Sequence, residues 1–452
     1  MKPLSLVGHV TELYDQVRSD SSPTDVVVNH FVRKRRYLGA HDRRFVTDAV
    51  FGIIRHRKRL EAIIEHSLKQ PSLVGTTPPV ELAGMPALWL YVAYAVCIRN
   101  QPPPEVVRDL SSLWQTKYPD VDIARMLDLL SKHAELDFLP QFPVLRVATE
   151  YSYPTWMVDQ WVRRFGEAEA RSLCGALNQQ APLAIRANIT KASIEQCIAA
   201  LQGEGVRAHP SALSPVGLVL EKRVDVHSLS AFRMGWFEVQ DEGSQLLSFL
   251  VHPRPGQFVV DACAGAGGKS LHLSALMENR GQIIALDVDR RKLDELQHRC
   301  HRAGAQIVQP VLADREDPRA EESYVDLADA VLVDAPCSGT GTIRRNPARK
   351  WMVSQLIIEE FQHRQRSILA RYSRLVKPGG RVVYATCSLL EEENEDVIQD
   401  FLEKNPSFQI FPAAKALKPW HLDRLAKSDF LVLWPHKEGT DGFFAAVLQR
   451  IP

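Results

Sequence analysis

QFVVDACAGAGGKS, residues 257–270, decides the fold. Phe258, Val259 and Val260 form a short apolar run with β-branched members, too brief for a helix and ending on Asp261, which predicts a strand. Gly265, Gly267 and Gly268 then turn the chain, and KSLHLSALMENR predicts a helix. Glycines in a strand-to-helix turn let backbone approach a ligand, and the helix N-terminus favours an anionic group. A tight turn with no ligand is the plain alternative.

Downstream the same rhythm continues. QIIALDV, IVQPVLAD, DAVLVDAP and RVVYATC read as strands, separated by RRKLDELQHRCHRAG and the long SQLIIEEFQHRQRSILARYSRLV. Alternation of this kind predicts a parallel sheet with right-handed crossovers. FLVLWP and FFAAVLQR follow with no helix between them, so an antiparallel pair at a sheet edge is expected. Ligands in such folds lie outside the carboxyl ends of the strands.

Upstream, residues 155–255 mix types. LAIRANI, the helix SIEQCIAALQGEG and GLVLEK suggest a small α+β unit, which HPRPGQ closes. Residues 1 to about 135 read as helical from the three- and four-residue apolar spacing of VVVNHFVRKRRYL and FVTDAVFGIIRHRKRLEAIIEHSL. Breaks are expected at Pro71, Pro78, Pro79, Pro86 and Pro102 to Pro104. The chain is therefore expected to be multidomain: 1–135 all-α, 150–235 small α+β, and 236–452 α/β.

A net charge of +1 says nothing about partners, so local charge must be read instead. Seven cysteines, an odd number without a CxxC pair, argue for reduced thiols rather than a disulfide frame or a zinc site, and no metal is expected. The N-terminus carries no apolar signal core, and no stretch approaches ~18 uninterrupted apolar residues. A cytoplasmic protein without membrane contact is expected.

Acids recur at strand ends: Asp261, Asp287, Asp314 and Asp334. One is commonplace, but four on successive strands are hard to explain by packing, because a buried carboxylate needs a partner. Three ligand classes compete. Gly268-Lys269-Ser270 looks like the end of a phosphate loop, but that loop needs glycine where Cys263 stands. A nicotinamide site fits the glycines and Asp287, yet gives no role to Asp314, Asp334 or the cysteines. S-adenosylmethionine uses the glycine loop for its methionine part, Asp287 for ribose and Asp314 for adenine, and wants a substrate-side motif after the fourth strand, where DAPCSG stands.

Cys337 and Cys387 each sit where a strand runs out. Cys97, Cys174, Cys197 and Cys300 fall in helical patterns and read as packing residues. At an ordinary pKa only roughly 3% of a thiol is ionised at pH 7, so a reactive cysteine needs help from its surroundings. Two thiols and a methyl donor suit one chemistry. Carbon-5 of cytosine is a poor nucleophile until a thiolate adds to carbon-6. After methylation the carbon-5 proton must leave and the thiol must be expelled. A carboxylic group near the ring nitrogen, such as Asp334, steadies the change in charge.

At these residues the chain resembles the NOL/NOP/Sun family of RNA cytosine-5 methyltransferases, most closely its bacterial RsmB (Sun/Fmu) branch. The resemblance rests on VQDEGSQLL (239–247), DACAGAGGK (261–269), DAPCSGTGTIRRNP (334–347), YATCSLLEEENE (384–395) and GTDGFFAAVLQR (439–450), in family order. It implies a Rossmann-like class I methyltransferase domain over 236–452, preceded by a small RNA-binding subdomain over 150–235 and a NusB-like helical RNA-binding domain over 1–135. It assigns the nucleophile to Cys387 and product release to Cys337, with Asp334 facing the base. Donor binding falls to Cys263, Ala264, Gly265, Ala266, Gly267, Gly268 and Lys269 with Asp287, Asp314 and Asp334. Two positions depart from the family pattern: Ala266, where many members have proline, and Ala348, where an aspartate is common.

The implied partner is RNA, 16S rRNA first, naked or in an assembling small subunit, and the implied state is a monomer. A tRNA substrate is the alternative within the same chemistry. A catalytically idle ribosome-assembly factor would keep the basic helices but has no need of both Cys337 and Cys387. Between residues 33 and 59, Arg33, Lys34, Arg35, Arg36, Arg43, Arg44, Arg55, Arg57, Lys58 and Arg59 face only Asp42 and Asp48, which suggests a phosphate-binding face. Arg344 and Arg345 are expected to hold RNA at the active site, and Trp351 either stacks on a base or is buried.

Overall fold

The computed structural model describes residues 1–20, 22–70 and 84–452. The breaks expected at Pro71, Pro78 and Pro79 lie outside the described residues. Two compact units are present: residues 1–178 together with 346–352, and residues 179–345 together with 353–452.

The first unit is helical. Its longest helix is Ala40–Leu68, and Ala87–Cys97 is buried along its whole length. A helix that is apolar on every side is stable only when surrounded; here Leu13, Phe31, Ile53, Ile63, Trp114 and Leu127 belong to the same core. Helices continue through Pro143–Glu150, Thr155–Phe165 and Glu167–Asn178.

The second unit holds two sheets. β1 (Leu183–Ala187), β2 (Ala208–Pro210), β3 (Gly217–Leu220) and β4 (Phe237–Val239) form an antiparallel sheet in the order β2-β3-β1-β4. The helix Ile194–Gly203 packs on it through Cys197 and Leu201, and its start is fixed by a capping box between Ser193 and Gln196. β2 and β4 have three residues each, too few for a sequence period to declare itself, and β4 comes from beyond residue 235.

The large sheet contains β5 (Phe258–Asp261), β6 (Gln282–Asp287), β7 (Val308–Leu312), β8 (Ala328–Asp334), β9 (Val376–Thr386), β10 (Phe408–Ile410), β11 (Leu431–Leu433) and β12 (Phe443–Arg450). Its order is β10-β12-β9-β8-β5-β6-β7, with β11 also pairing β12. β5 to β9 run parallel to one another, and β12 runs antiparallel to β9, β10 and β11. The expected pairing of FLVLWP with FFAAVLQR forms, but β12 is interior and the edge falls to β10 and β11. The composition of β12 fits that place: Phe443 to Leu448 are all buried.

Alternation along the strands builds two cores. Val259, Ile283, Leu332 and Val383 pack with helices Glu242–Val251 and Gly268–Leu276. Val260, Ile284, Val331 and Val382 pack with Gln355–Ser373 and Glu395–Lys404. The chain leaves β5 toward β6 and β7, then returns to β8 on the other side of β5. That reversal opens a crevice at the carboxyl ends of β5 and β8. Among the described residues no helix is long and apolar enough to cross a membrane.

Candidate active site

The crevice is built on the turn after β5. Gly265 and Gly267 have φ of +55° and +82°, in the left-handed region. At Gly267 space is also decisive: a Cβ there would come within 1.9 Å of Leu296 Cδ1, so the turn lies directly on the helix Arg290–Ala303. Gly265 N–H donates to Asp287 Oδ2 at 2.8 Å, and Asp289 N–H donates to Asp287 Oδ1 at 2.8 Å. On the other side Arg299 Nη1 donates to the Ala266 carbonyl at 2.8 Å. The Gly267 N–H closes the turn on the Ala264 carbonyl at 2.9 Å, with Ala266 inside it.

Beside this turn is a cavity of about 130 Å³ lined by Asp261, Cys263, Ala264, Gly268, Lys269 and Asp334. Lys269 Nζ lies 2.5 Å from Asp334 Oδ2. Burial alone would lower the Lys269 ammonium, but Asp334, then Asp261 and Cys387, hold it above its ordinary value. Asp261 Oδ2 accepts from Ser270 Oγ at 2.7 Å, while Oδ1 is buried with no partner among the described residues. Burial pushes the Asp261 carboxyl up to about 6.

Val239, Gln240, Ser244 and Arg299 complete the lining, and sequence reasoning had given none of them a role. The signal was available for two of them. Gln240 and Ser244 are four apart at the start of a helix, a spacing that puts side chains together, and Gln240 Nε2 donates to Ser244 Oγ at 3.1 Å. Asp314 stands apart. It is exposed two residues beyond β7, and its Oδ1 accepts from the N–H groups of Glu316 and Asp317 at 2.8 and 3.2 Å.

The two thiols meet at the ends of neighbouring strands. In β8 and β9 Asp334 lies opposite Ala385, which brings the following loops side by side, and Cys337 Sγ is 3.4 Å from Cys387 Sγ. The flanking hydroxyls join these loops. Thr340 Oγ1 and Ser388 Oγ are 3.2 Å apart, and Leu389 N–H donates to Thr340 Oγ1 at 2.8 Å. Thr386 Oγ1 donates to Asn394 Oδ1 at 2.6 Å. Glu393, fully buried, accepts from Ser338 N–H at 2.7 Å, from Gln365 Nε2 at 3.0 Å, and from the hydroxyls of Ser338 and Ser388. Its residue type in an acidic run gave no hint of a buried role.

The Cys337 thiol is held well above its ordinary range by its hydrogen bond to Cys387, by burial, and by the charges of Cys387 and Glu393. Cys97, Cys174, Cys197 and Cys300 are buried in helices, and burial pushes them up to about 12, 12, 11 and 11, as befits packing residues. Burial also pushes Cys263 well up.

A third loop closes against these two. Gly341 N–H donates to the Cys387 carbonyl at 2.9 Å, and Gly442 N–H to the Gly341 carbonyl at 2.9 Å. A Cβ on Gly341 would meet Gly442 O at 2.2 Å, so only glycine fits. Arg344, which is buried, and Arg345, which is exposed, both expected to hold RNA, are each ion-paired within the protein. Arg344 Nε donates to Asp441 Oδ1 at 2.5 Å and its Nη1 to the Gly439 carbonyl at 2.7 Å. Arg345 donates to Asp241 Oδ2 at 2.7 Å and also pairs with Asp441. The guanidinium pairs thus tie VQDEG, TIRRNP and GTDGFF together, which two lone basic residues in a loop do not reveal.

Residues 346–352 belong to the helical unit. There Ala348 is buried in the core, and Trp351, partly buried against it, donates its Nε1–H to the Ile54 carbonyl at 2.9 Å beneath Arg57. The basic cluster divides. Arg33, Lys34, Arg36 and Arg44 are exposed. Arg35 pairs with Glu12, and Arg43 Nε donates to the Leu38 carbonyl at 2.8 Å. Lys58 donates to Thr155 Oγ1 at 2.8 Å, Arg59 to the Ala134 carbonyl at 2.8 Å, and Arg57 to Glu61 at 3.1 Å.

Residues 248–449 match the family model "16S rRNA methyltransferase RsmB/F", and residues 153–227 match the ferredoxin-like domain of RsmF/B-like methyltransferases. The chain is 31% identical over 442 residues to the "probable ribosomal RNA small subunit methyltransferase B" of Synechocystis, covering 97% of each. It is 28% identical to the Bacillus subtilis protein of the same name over 100% of both. The crystal structure of PH0851 superposes with a TM-score of 0.75 at 29% identity, covering 98% of this chain and 99% of that one.

Proposed function

Because this chain belongs to the ribosomal RNA small subunit methyltransferase B family, we propose that it methylates carbon-5 of a cytosine in 16S rRNA through a covalent adduct on Cys387. The observation that carries the reading is the pair of sulfurs 3.4 Å apart beside the cavity that Lys269 and Asp334 line.

The cavity suits S-adenosylmethionine, which supplies the methyl group when bound. An unpartnered Asp261 Oδ1 and the Lys269 ammonium offer an acceptor and a cation for an amino acid's two charged groups. A Cβ on Gly265 would meet nothing within 4 Å, so backbone is open to a ligand there. Asp287 is oriented by two N–H groups and presents carboxylate to ribose hydroxyls. Cys263, Ala264, Gly265, Ala266, Gly267, Gly268 and Lys269 form the cradle with Asp334, and Asp314, exposed two residues beyond β7, is assigned the adenine end of the donor.

Cys387 as thiolate adds to carbon-6 of the cytosine, forming a C–S bond and moving electron density to carbon-5. Asp334 steadies the ring nitrogen as that charge develops. Once carbon-5 carries the methyl group, its proton is removed, the C–S bond breaks and Cys387 leaves as thiolate, a release that Cys337 assists.

The finer organisation we propose is a NusB-like RNA-binding domain over 1–135, a small RNA-binding subdomain over 150–235 and the catalytic domain over 236–452, acting as a cytoplasmic monomer. The exposed Arg33, Lys34, Arg36 and Arg44 support the first assignment. Bisulfite mapping of ribosomal and transfer RNA from a deletion strain tests the reading. Loss of one 5-methylcytosine from 16S rRNA is expected; an unchanged 16S pattern with a loss in tRNA overturns the rRNA assignment.

A further inference from the structure

Glu393 bridges the loops of the two thiols, accepting twice from the residue after Cys337 and once from the residue after Cys387. Its carboxylate accepts the N–H of Ser338, the residue next to Cys337, at 2.7 Å. It is fully buried, and its other partners are the hydroxyls of Ser338 and Ser388 and the Gln365 amide. These donors are neutral, so they stabilise the carboxylate without cancelling its charge, and in a buried setting that charge acts strongly on a neighbour. On the other side, burial lowers the Lys269 ammonium, and Asp334, its ion-pair partner at 2.5 Å, holds it up first, with Asp261 and Cys387 adding to this. Buried Tyr384 donates its hydroxyl to the Glu393 carbonyl at 2.7 Å and is pushed well up, first by burial and then by Cys337.

Both sulfurs face each other at 3.4 Å, where either can donate. The Glu393 carboxylate, bound twice to the residue after Cys337 and once to the residue after Cys387, breaks that symmetry. We propose that Glu393 is a positioning residue: it clamps the loops of Cys337 and Cys387 together, and its charge keeps the shared proton on Cys337, leaving Cys387 as the sulfur that attacks. When the pair loses one proton to solvent, the proton that remains stays on Cys337 Sγ and is donated to the Cys387 thiolate. The elevated Cys337 thiol agrees with this order. This inference rests on the methyltransferase reading and explains why, of two similar cysteines, one is the nucleophile.

The test uses full-length protein without RNA or methyl donor, so its outcome is independent of whether the substrate has been identified correctly. Iodoacetamide labelling of Cys337 and Cys387 at pH 7 to 9 is quantified by peptide mass spectrometry. In the native protein Cys387 should label faster than Cys337. Glu393→Gln, which keeps the shape and removes the charge, should narrow that preference by roughly tenfold, about one pK unit between the thiols. Glu393→Asp should restore most of it. Ser338→Ala removes a donor and leaves the charge, so the preference should persist, and this variant serves if Glu393→Gln does not fold. An unchanged preference in Glu393→Gln, or its loss in Ser338→Ala, overturns the proposal. Loss of methylation with unchanged labelling would also overturn it, while leaving the roles of Cys387 and Cys337 standing.

Discussion

The Asp287 carboxylate accepts the Gly265 N–H at 2.8 Å, tying the end of β6 to the glycine turn after β5. Asp287 therefore has two tasks, holding ribose hydroxyls and fixing the turn. Asp287→Ala should weaken S-adenosylmethionine binding by roughly 1–3 kcal/mol, the loss expected for hydrogen bonds to a charged group. Asp287→Asn, which keeps one acceptor oxygen, should lose less. Isothermal titration measures both; an unchanged dissociation constant in Asp287→Ala contradicts the assignment.

Asp261 makes stability depend on pH. Its folded value, raised by burial to about 6, lies above the ordinary 3.8. Such a group contributes stability below about pH 4 and loses it as pH rises through 6, a change of about 3 kcal/mol by linkage. Asp261→Asn is neutral throughout and keeps an acceptor for Ser270. Its advantage over the native protein should grow from pH 5 to pH 8 in urea unfolding. A gap that does not change with pH contradicts a buried, raised carboxyl.

Much of the α/β half was legible because its strands are apolar on both faces and end on acids. Val259 and Val260, Ile283 and Ile284, and Val382 and Val383 send neighbours to opposite cores. The three-residue strands β2, β4 and β10 were not legible, since so short a segment has no period. At the site, residue type marked Cys337, Cys387 and Lys269, but nothing in EEENE separates buried Glu393 from its exposed or half-exposed neighbours Glu391 and Glu392. The ion pairs of Arg344 and Arg345 were not legible either. Their partners Asp241 and Asp441 lie about a hundred residues away on either side, and sequence order does not reveal the pairing.

The basic cluster can now be tested more narrowly. If Arg33, Lys34, Arg36 and Arg44 meet phosphates, replacing them with Gln should flatten the slope of log affinity against log salt by about 0.7 to 0.9 for each phosphate no longer neutralised. Arg35→Gln is the control, because Arg35 pairs with Glu12. The nucleotide methylated should not change, since phosphate contacts position without specifying. Point substitutions are preferable to deleting residues 1–135, which would cut through a unit that extends to residue 178. Equal slopes for all variants would mean that the cluster is ordinary solvated surface.

The roles of the thiols make a sharp pair of expectations. Cys387→Ala should abolish methyl transfer and leave S-adenosylmethionine binding nearly intact, because the sulfur contributes to attack rather than to the cradle. Activity and calorimetry on the same preparation separate the two effects. Full activity in Cys387→Ala contradicts the nucleophile assignment.

The most direct measurement is a denaturing gel of Cys337→Ala incubated with 16S rRNA and S-adenosylmethionine. With attack intact and release impaired, a denaturation-resistant protein–RNA adduct should accumulate, and Cys337→Ala/Cys387→Ala should form none. An adduct in the double variant, or its absence from Cys337→Ala while Cys387→Ala forms it, would contradict the roles given to the two sulfurs that meet at 3.4 Å.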